Sequence, residues 1–152
     1  MYPEWQRGEY AISTDPGRLD LSLIHDYLSH SYWAAEIPRE LVARSIVGSL
    51  AFGIYHEGKQ AGFARVISDR ATFAYLADVF VLEAYRGRGL AKWLMEVIHI
   101  HPELQGLRRW LLATRDAHEL YRQFGWTALE QPERIMQILV PGIYTKGPSD
   151  ER

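Results

Sequence analysis

The chain has 152 residues, 47% of them hydrophobic and 24% charged, with a formal net charge of −2. That is the size and balance of one globular domain with a true core, and it excludes wholesale disorder and a strongly basic nucleic-acid coat. The sequence contains no cysteine, which excludes disulfides, thiolate nucleophiles and zinc–thiolate sites.

No apolar run approaches the roughly 20 residues needed to cross a bilayer. The opening Met1-Tyr2-Pro3-Glu4-Trp5 lacks the basic-then-apolar pattern of a signal peptide. The expectation is a cytoplasmic protein that engages neither membrane nor nucleic acid. A single domain is expected over 1–141, with a flexible tail over 142–152 rich in Gly, Pro, Ser and charge.

Residues 9–14 alternate in polarity and end at Asp15-Pro16-Gly17, so the first strand is predicted there. From Asp20, the positions of Leu21, Leu23, Ile24, Tyr27 and Leu28 have helical spacing. Pro38 opens a second helix carrying Leu41, Val42 and Ile46, with Glu40 in its first turn. Leu50–His56 and Gln60–Ile67 read as a hairpin around Glu57-Gly58-Lys59. Thr72–Leu82, aromatic and β-branched, reads as a buried central strand.

A helix follows with apolar residues at 90, 93, 94, 97 and 98, stopped by Pro102. Leu107–Ala113 is a further strand. Asp116-Ala117-His118-Glu119 has the capping-box pattern, so a helix is predicted from Asp116 to about Phe124, with Gly125 as its C-terminal glycine. Ile135–Val140 is predicted as the last strand, and as an apolar edge that suggests a homodimer. The order β-α-α-β-β-β-α-β-α-β defines an α/β (α+β) domain, with a parallel crossover within residues 72–113.

The most informative segment is Arg86-Gly87-Arg88-Gly89-Leu90-Ala91, between a buried strand and an amphipathic helix. Glycines let a ligand approach the backbone, and a helix N-terminus with nearby Arg86, Arg88 and Lys92 favours a polyanion such as pyrophosphate. The spacing fits neither the P-loop nor the dinucleotide fingerprint. A tight strand-to-helix turn with solvated arginines is the alternative.

Arg86-x-x-Gly89-x-Ala91 after a strand resembles the acyl-CoA pyrophosphate loop of the GNAT family of N-acetyltransferases. Glu119-Leu120-Tyr121-Arg122-Gln123-Phe124-Gly125-Trp126 is similar to that family's Leu-Tyr-x-x-Phe-Gly-Phe segment. The likeness covers roughly residues 50–140; the first 45 residues share with the family only a strand and two helices. It implies a mixed central sheet of six to seven strands flanked by about four helices, and acetyl-CoA as co-substrate.

It further implies that the Val79 or Phe80 N–H polarises the thioester carbonyl. Phe80 and Val81 would pair with pantetheine, and amides from Arg88 to Ala91 would take the pyrophosphate. Arg86, Gly87, Gly89, Leu90, Ala117 and Phe124 complete the cofactor side. Thr114 stands where many relatives carry an asparagine, so its contact with pantetheine is in question.

Tyr121 matches the family tyrosine near the CoA sulfur and is the candidate general acid; the alternative is an aromatic packed with Leu120 and Phe124. Asp78, acidic within an apolar strand, is either a base for the substrate amine or an anchor for a neighbouring arginine. Tyr75, three residues earlier, falls on the other side of an ideal strand. The acceptor pocket would draw on Tyr27, Tyr32, Trp33, Glu36, Met136 and Tyr144, with Tyr32, Trp33 and Tyr75 as candidate substrate contacts. His99 and His101 lie on different helix faces and have no third ligand, so no metal is expected. The implied activity is acetyl transfer to the primary amine of a small molecule or amino-acid-like acceptor. A non-catalytic acyl-CoA sensor is the alternative.

Overall fold

In the computed structural model, residues 1–145 are described; residues 146–152, most of the expected tail, lie outside them. Strands β1 (Glu4–Arg7) and β2 (Tyr10–Ser13) form a hairpin through Gly8 at φ +58°. Strand β1 is absent from the sequence reading because its only large apolar residue is Trp5, so no alternation marks it. The Asp15-Pro16-Gly17 signal is a one-turn 3-10 helix in which the Asp15 carboxylate accepts the Gly17 N–H at 2.9 Å.

Helix α1 (Leu21–Ser29) is capped by Asp20, whose carboxylate accepts the Leu23 N–H. Helix α2 (Arg39–Val47) starts behind Pro38. Then come β3 (Leu50–His56), β4 (Lys59–Ser68), β5 (Phe73–Val81), α3 (Leu90–Ile100), β6 (Arg109–Leu112) and the short α4 (His118–Arg122).

The six strands lie in sequence order, antiparallel throughout except for β5 and β6, which are parallel across the α3 crossover. Alternate residues of β3 and β4 feed two cores. Phe52, Ile54, Ala64 and Val66 pack with Leu94, Met95 and Ile98 of α3. Ala51 and Phe63 pack with Ile24, Leu28 and Val42 of α1 and α2. The sheet is therefore covered on both faces, which is why β3 is apolar along almost its whole length.

Two predicted features are corrected. The capping box does not form: the N-cap of α4 is Ala117, whose N–H donates to Thr114 Oγ1 at 3.0 Å, while Asp116 pairs with Arg115 in solvent. Gly125 does end the helical segment, at φ +90°. Ile135–Val140 is not a strand; it is irregular and exposed, so β6 rather than this segment is the sheet's edge.

His101 is fully buried between Trp5 and Phe52, with ring centroids 5.8 and 5.5 Å away. Its Nδ1 accepts the Glu103 N–H, and its Nε2 has no partner among the described residues. Burial lowers its pKa below the ordinary 6.5, with Glu103 and Arg70 acting on it in opposite directions. The unfolded chain therefore takes the proton first, so stability is full above pH 6.5 and falls as the pH drops below it. Urea titrations should show this decline between pH 7.5 and 5.5, and His101→Asn should remove part of the slope. An unchanged slope in the variant would place the acid sensitivity elsewhere.

Candidate active site

Strands β5 and β6 pair only over Phe73–Leu76 and Arg109–Leu112. Beyond Leu76, β5 runs on through Ala77–Val81 with no partner on that side among the described residues, leaving a wedge floored by its own backbone. The strand is bent at the same point. Phe63 faces Phe80 and Arg65 faces Ala77, so the single residue Ala64 lies opposite both Asp78 and Val79, a β-bulge. Asp78 takes φ +56°, a left-handed conformation that Asp tolerates better than most residues.

Both oxygens of the Asp78 carboxylate are engaged. Oδ1 accepts the Trp33 indole N–H at 2.7 Å, and Oδ2 accepts Arg65 Nε at 2.6 Å. The ion pair is nearly enclosed, with side-chain exposures of 17% and 10%, and Arg65 also donates to Ser49 Oγ at 3.0 Å. Arg65 escaped the sequence reading, although a charged residue inside an apolar hairpin strand carries the same signal that singled out Asp78.

The wedge opens into a cleft of about 870 Å³. Val79, Phe80 and Val81 floor it; Tyr27, Tyr32 and Trp33 wall one side, and Ala117, Leu120 and Tyr121 the other. Tyr27 stacks on Phe80 with ring centroids 4.0 Å apart, and its hydroxyl accepts from Arg86 Nη2 at 3.0 Å. Tyr32 accepts the Arg115 N–H at 3.0 Å and lies under that residue's guanidinium at 3.9 Å. Tyr121 is buried, and desolvation, aided by Tyr32, pushes its pKa up to about 12.

A smaller pocket of about 140 Å³ continues from the cleft, formed by Gly87, Gly89, Leu90, Ala91 and Lys92 with Tyr85 and Arg86. Gly87 and Gly89 have φ +78° and +75°, with open space where a Cβ would stand. Gly89 is the N-cap of α3, so the first amides of that helix have no acceptor within it. The arginines of the loop are turned to other work. Arg86 Nε donates to the Val81 carbonyl at 2.9 Å, and Arg88 Nη1 donates to the Tyr10 hydroxyl at 2.6 Å. Lys92 makes no ion pair among the described residues.

The fold thus brings Val79, Phe80, Val81, Arg86, Ala91, Ala117, Tyr121, Tyr32 and Trp33 to one cleft, with Gly87, Gly89 and Leu90 beside it. Asp78, Tyr75, Arg88, Thr114 and Phe124 line neither cavity, nor do Glu36, Met136 and Tyr144. Asp26 and His30 line the cleft and were not foreseen there; the last turns of α1 bring them in, while Arg115 enters from the loop before α4.

Residues 47–128 match the family model described as the acetyltransferase (GNAT) domain. A Gibberella zeae protein named as an acetyltransferase is 32% identical, over 77% of this chain and 78% of its own. A solved GNAT-family acetyltransferase from Xanthomonas campestris pv. campestris is 53% identical with a TM-score of 0.88, covering 90% of this chain and 97% of that one. A Staphylococcus aureus structure at 21% identity and TM-score 0.69, covering 86% of this chain and 99% of its own, shares the fold. The chain belongs to the GNAT acetyltransferase family, and its six-stranded mixed sheet with four helices is that family's fold.

Proposed function

We propose that the chain transfers an acetyl group from acetyl-CoA to the primary amine of a small molecule or amino-acid-like acceptor, by direct attack. The observation that carries this reading is the free edge of β5 beyond Leu76, which leads from the glycine loop at one end to a buried phenol and an aromatic cleft at the other. The residues fit an acyl-CoA: two left-handed glycines with nothing over them, uncommitted amides at a helix N-terminus, and an unpaired strand edge suited to an extended amide-bearing arm.

When bound, acetyl-CoA supplies the thioester and its thiolate leaving group. The Val79 or Phe80 N–H is the donor to the carbonyl oxygen. Amides from Arg88 to Ala91, with Lys92, hold the pyrophosphate. Tyr121 keeps its proton at neutral pH and donates it as the thiolate departs. Asp78 acts as an anchor, holding Trp33 against the cleft and the bulge in place, since its lone pairs facing Trp33 and Arg65 are occupied. That same occupancy favours a second reading, an acyl-CoA sensor without turnover, because it commits the enclosed Asp78 carboxylate that would otherwise be free to act as a base.

Thermal unfolding with acetyl-CoA, CoA, ATP and NAD in turn tests the reading. A ligand at 100 times its Kd adds about 2.7 kcal/mol, which at this chain length raises Tm by roughly 5–10 °C. The expected result is a rise with both CoA forms and none with ATP or NAD. No rise with either CoA form up to millimolar concentration would overturn the proposal.

A further inference from the structure

Helix α4 has five residues, and its N-cap Ala117 offers no capping side chain. A helix so short does little by itself to fix the phenol that Tyr121 carries into the cleft. The support comes from the turn that follows. The Trp126 N–H donates to the Tyr121 carbonyl at 3.3 Å, and the indole lies against the phenol with ring centroids 5.9 Å apart.

That indole is in turn held from α3. Its Nε1–H donates to His99 Nε2 at 3.0 Å, and both residues are half-buried. An indole N–H only donates, so the imidazole must present Nε2 as an acceptor and carry its proton on Nδ1. The rings packed on the imidazole are uncharged: Trp110 of β6 at 4.9 Å, Trp126 at 5.9 Å and Phe124 at 6.3 Å. Burial among them lowers the His99 pKa, which keeps the acceptor in place through the neutral range.

We infer that His99 is a positioning residue for acyl transfer: through Trp126 it sets where the Tyr121 hydroxyl stands against the departing sulfur. The inference rests on the reading of Tyr121 as the general acid. His99 lines neither the cleft nor the glycine-loop pocket, so its influence passes through its neighbours. Three aromatic rings would pack on any apolar side chain at this position. Only a directed acceptor also fixes the rotation of the indole, and with it the wall against which the phenol rests.

Steady-state CoA release with an amine that turns over, alongside circular dichroism and the thermal shift with acetyl-CoA, tests this. His99→Leu keeps apolar bulk and removes the acceptor. Its kcat should fall roughly 10- to 100-fold, the scale of a misplacement of about 1 Å, with KM for acetyl-CoA and the thermal shift unchanged. Trp126→Phe, which removes the donor, should fall alike. His99→Gln, whose amide oxygen accepts, should recover most of the rate. In a Tyr121→Phe chain, His99→Leu should cost nothing further, because the hydroxyl it positions is gone. Additive losses, an equal loss in His99→Gln, or His99→Leu at the wild-type rate beside a slow Tyr121→Phe would overturn the inference and leave the acid reading standing. Tyr121→Phe at the wild-type rate would overturn the acid reading and the inference with it.

Discussion

Tyr121→Phe is expected to slow acyl transfer by roughly 100- to 1,000-fold, the usual loss when a positioned general acid is removed. Release of CoA thiol with a responsive amine measures it. The phenyl ring keeps the packing against Trp126, 5.9 Å away, so the thermal shift with acetyl-CoA should be unchanged. The pH behaviour adds a second check. Burial raises the phenol to about 12, so Tyr121 stays protonated as pH rises through the neutral and mildly alkaline range, and the ratio of wild-type to variant rates should be flat from pH 6 to 10. Equal rates would reduce Tyr121 to a packing residue. Absence of turnover in both proteins, with the CoA shift intact, would favour the sensor.

Asp78→Asn should destabilise the fold by about 3 kcal/mol, the low end for breaking a buried ion pair. The substitution isolates the charge, because Asn also tolerates the left-handed backbone and its carbonyl still accepts from Trp33. What remains is an Arg65 guanidinium, 17% exposed, facing a neutral amide. Tm should fall by about 6–12 °C at this chain length. Adding Arg65→Gln should recover part of the loss, the sign of direct coupling in a double-mutant cycle. A loss under 1 kcal/mol, or additive single effects, would mean that solvent already screens the pair.

The regular part of this fold was legible because local chemistry and tertiary context agree. Asp20 caps α1, Pro38 opens α2, Glu57-Gly58 turns the hairpin, and Leu90, Trp93, Leu94, Val97 and Ile98 mark the buried face of α3. The glycine loop was legible as a strand-to-helix turn for the same reason, with Gly87 and Gly89 at φ +78° and +75° and Gly89 as the N-cap of α3. Three things were not. Strand β1 is held by pairing with β2 rather than by its own polarity pattern. The Asp116 capping pattern is not used, because the helix starts one residue later behind Ala117 and Asp116 faces Arg115 instead. Ile135–Val140 has every local mark of a strand, but pairing is a property of two segments, and its own sheet does not receive it.

Within the site, residue types were readable and commitments were not. Asp78 stood out as an acid in an apolar strand. Its engagement by Trp33, 45 positions away, and by Arg65 depends on a bulge that no spacing announces. Arg86 and Arg88 looked like free cations for a phosphate, yet each is held by a tyrosine from another element. Long-range partners of this kind are set by how layers stack, which a linear pattern does not encode.

The two aromatic residues at the joint after α1 are tethered in different ways. Trp33 hangs from the carboxylate that also fixes the kink in β5, whereas Tyr32 leans on Arg115, at the start of the loop to α4. Remodelling the cleft through Trp33 therefore disturbs the strand on which the thioester would lie. Remodelling it through Tyr32 leaves that strand alone. If the cleft takes the acceptor as proposed, a change at position 33 is felt in the strand itself, whereas a change at position 32 spares the strand and is felt at the neighbouring Tyr121.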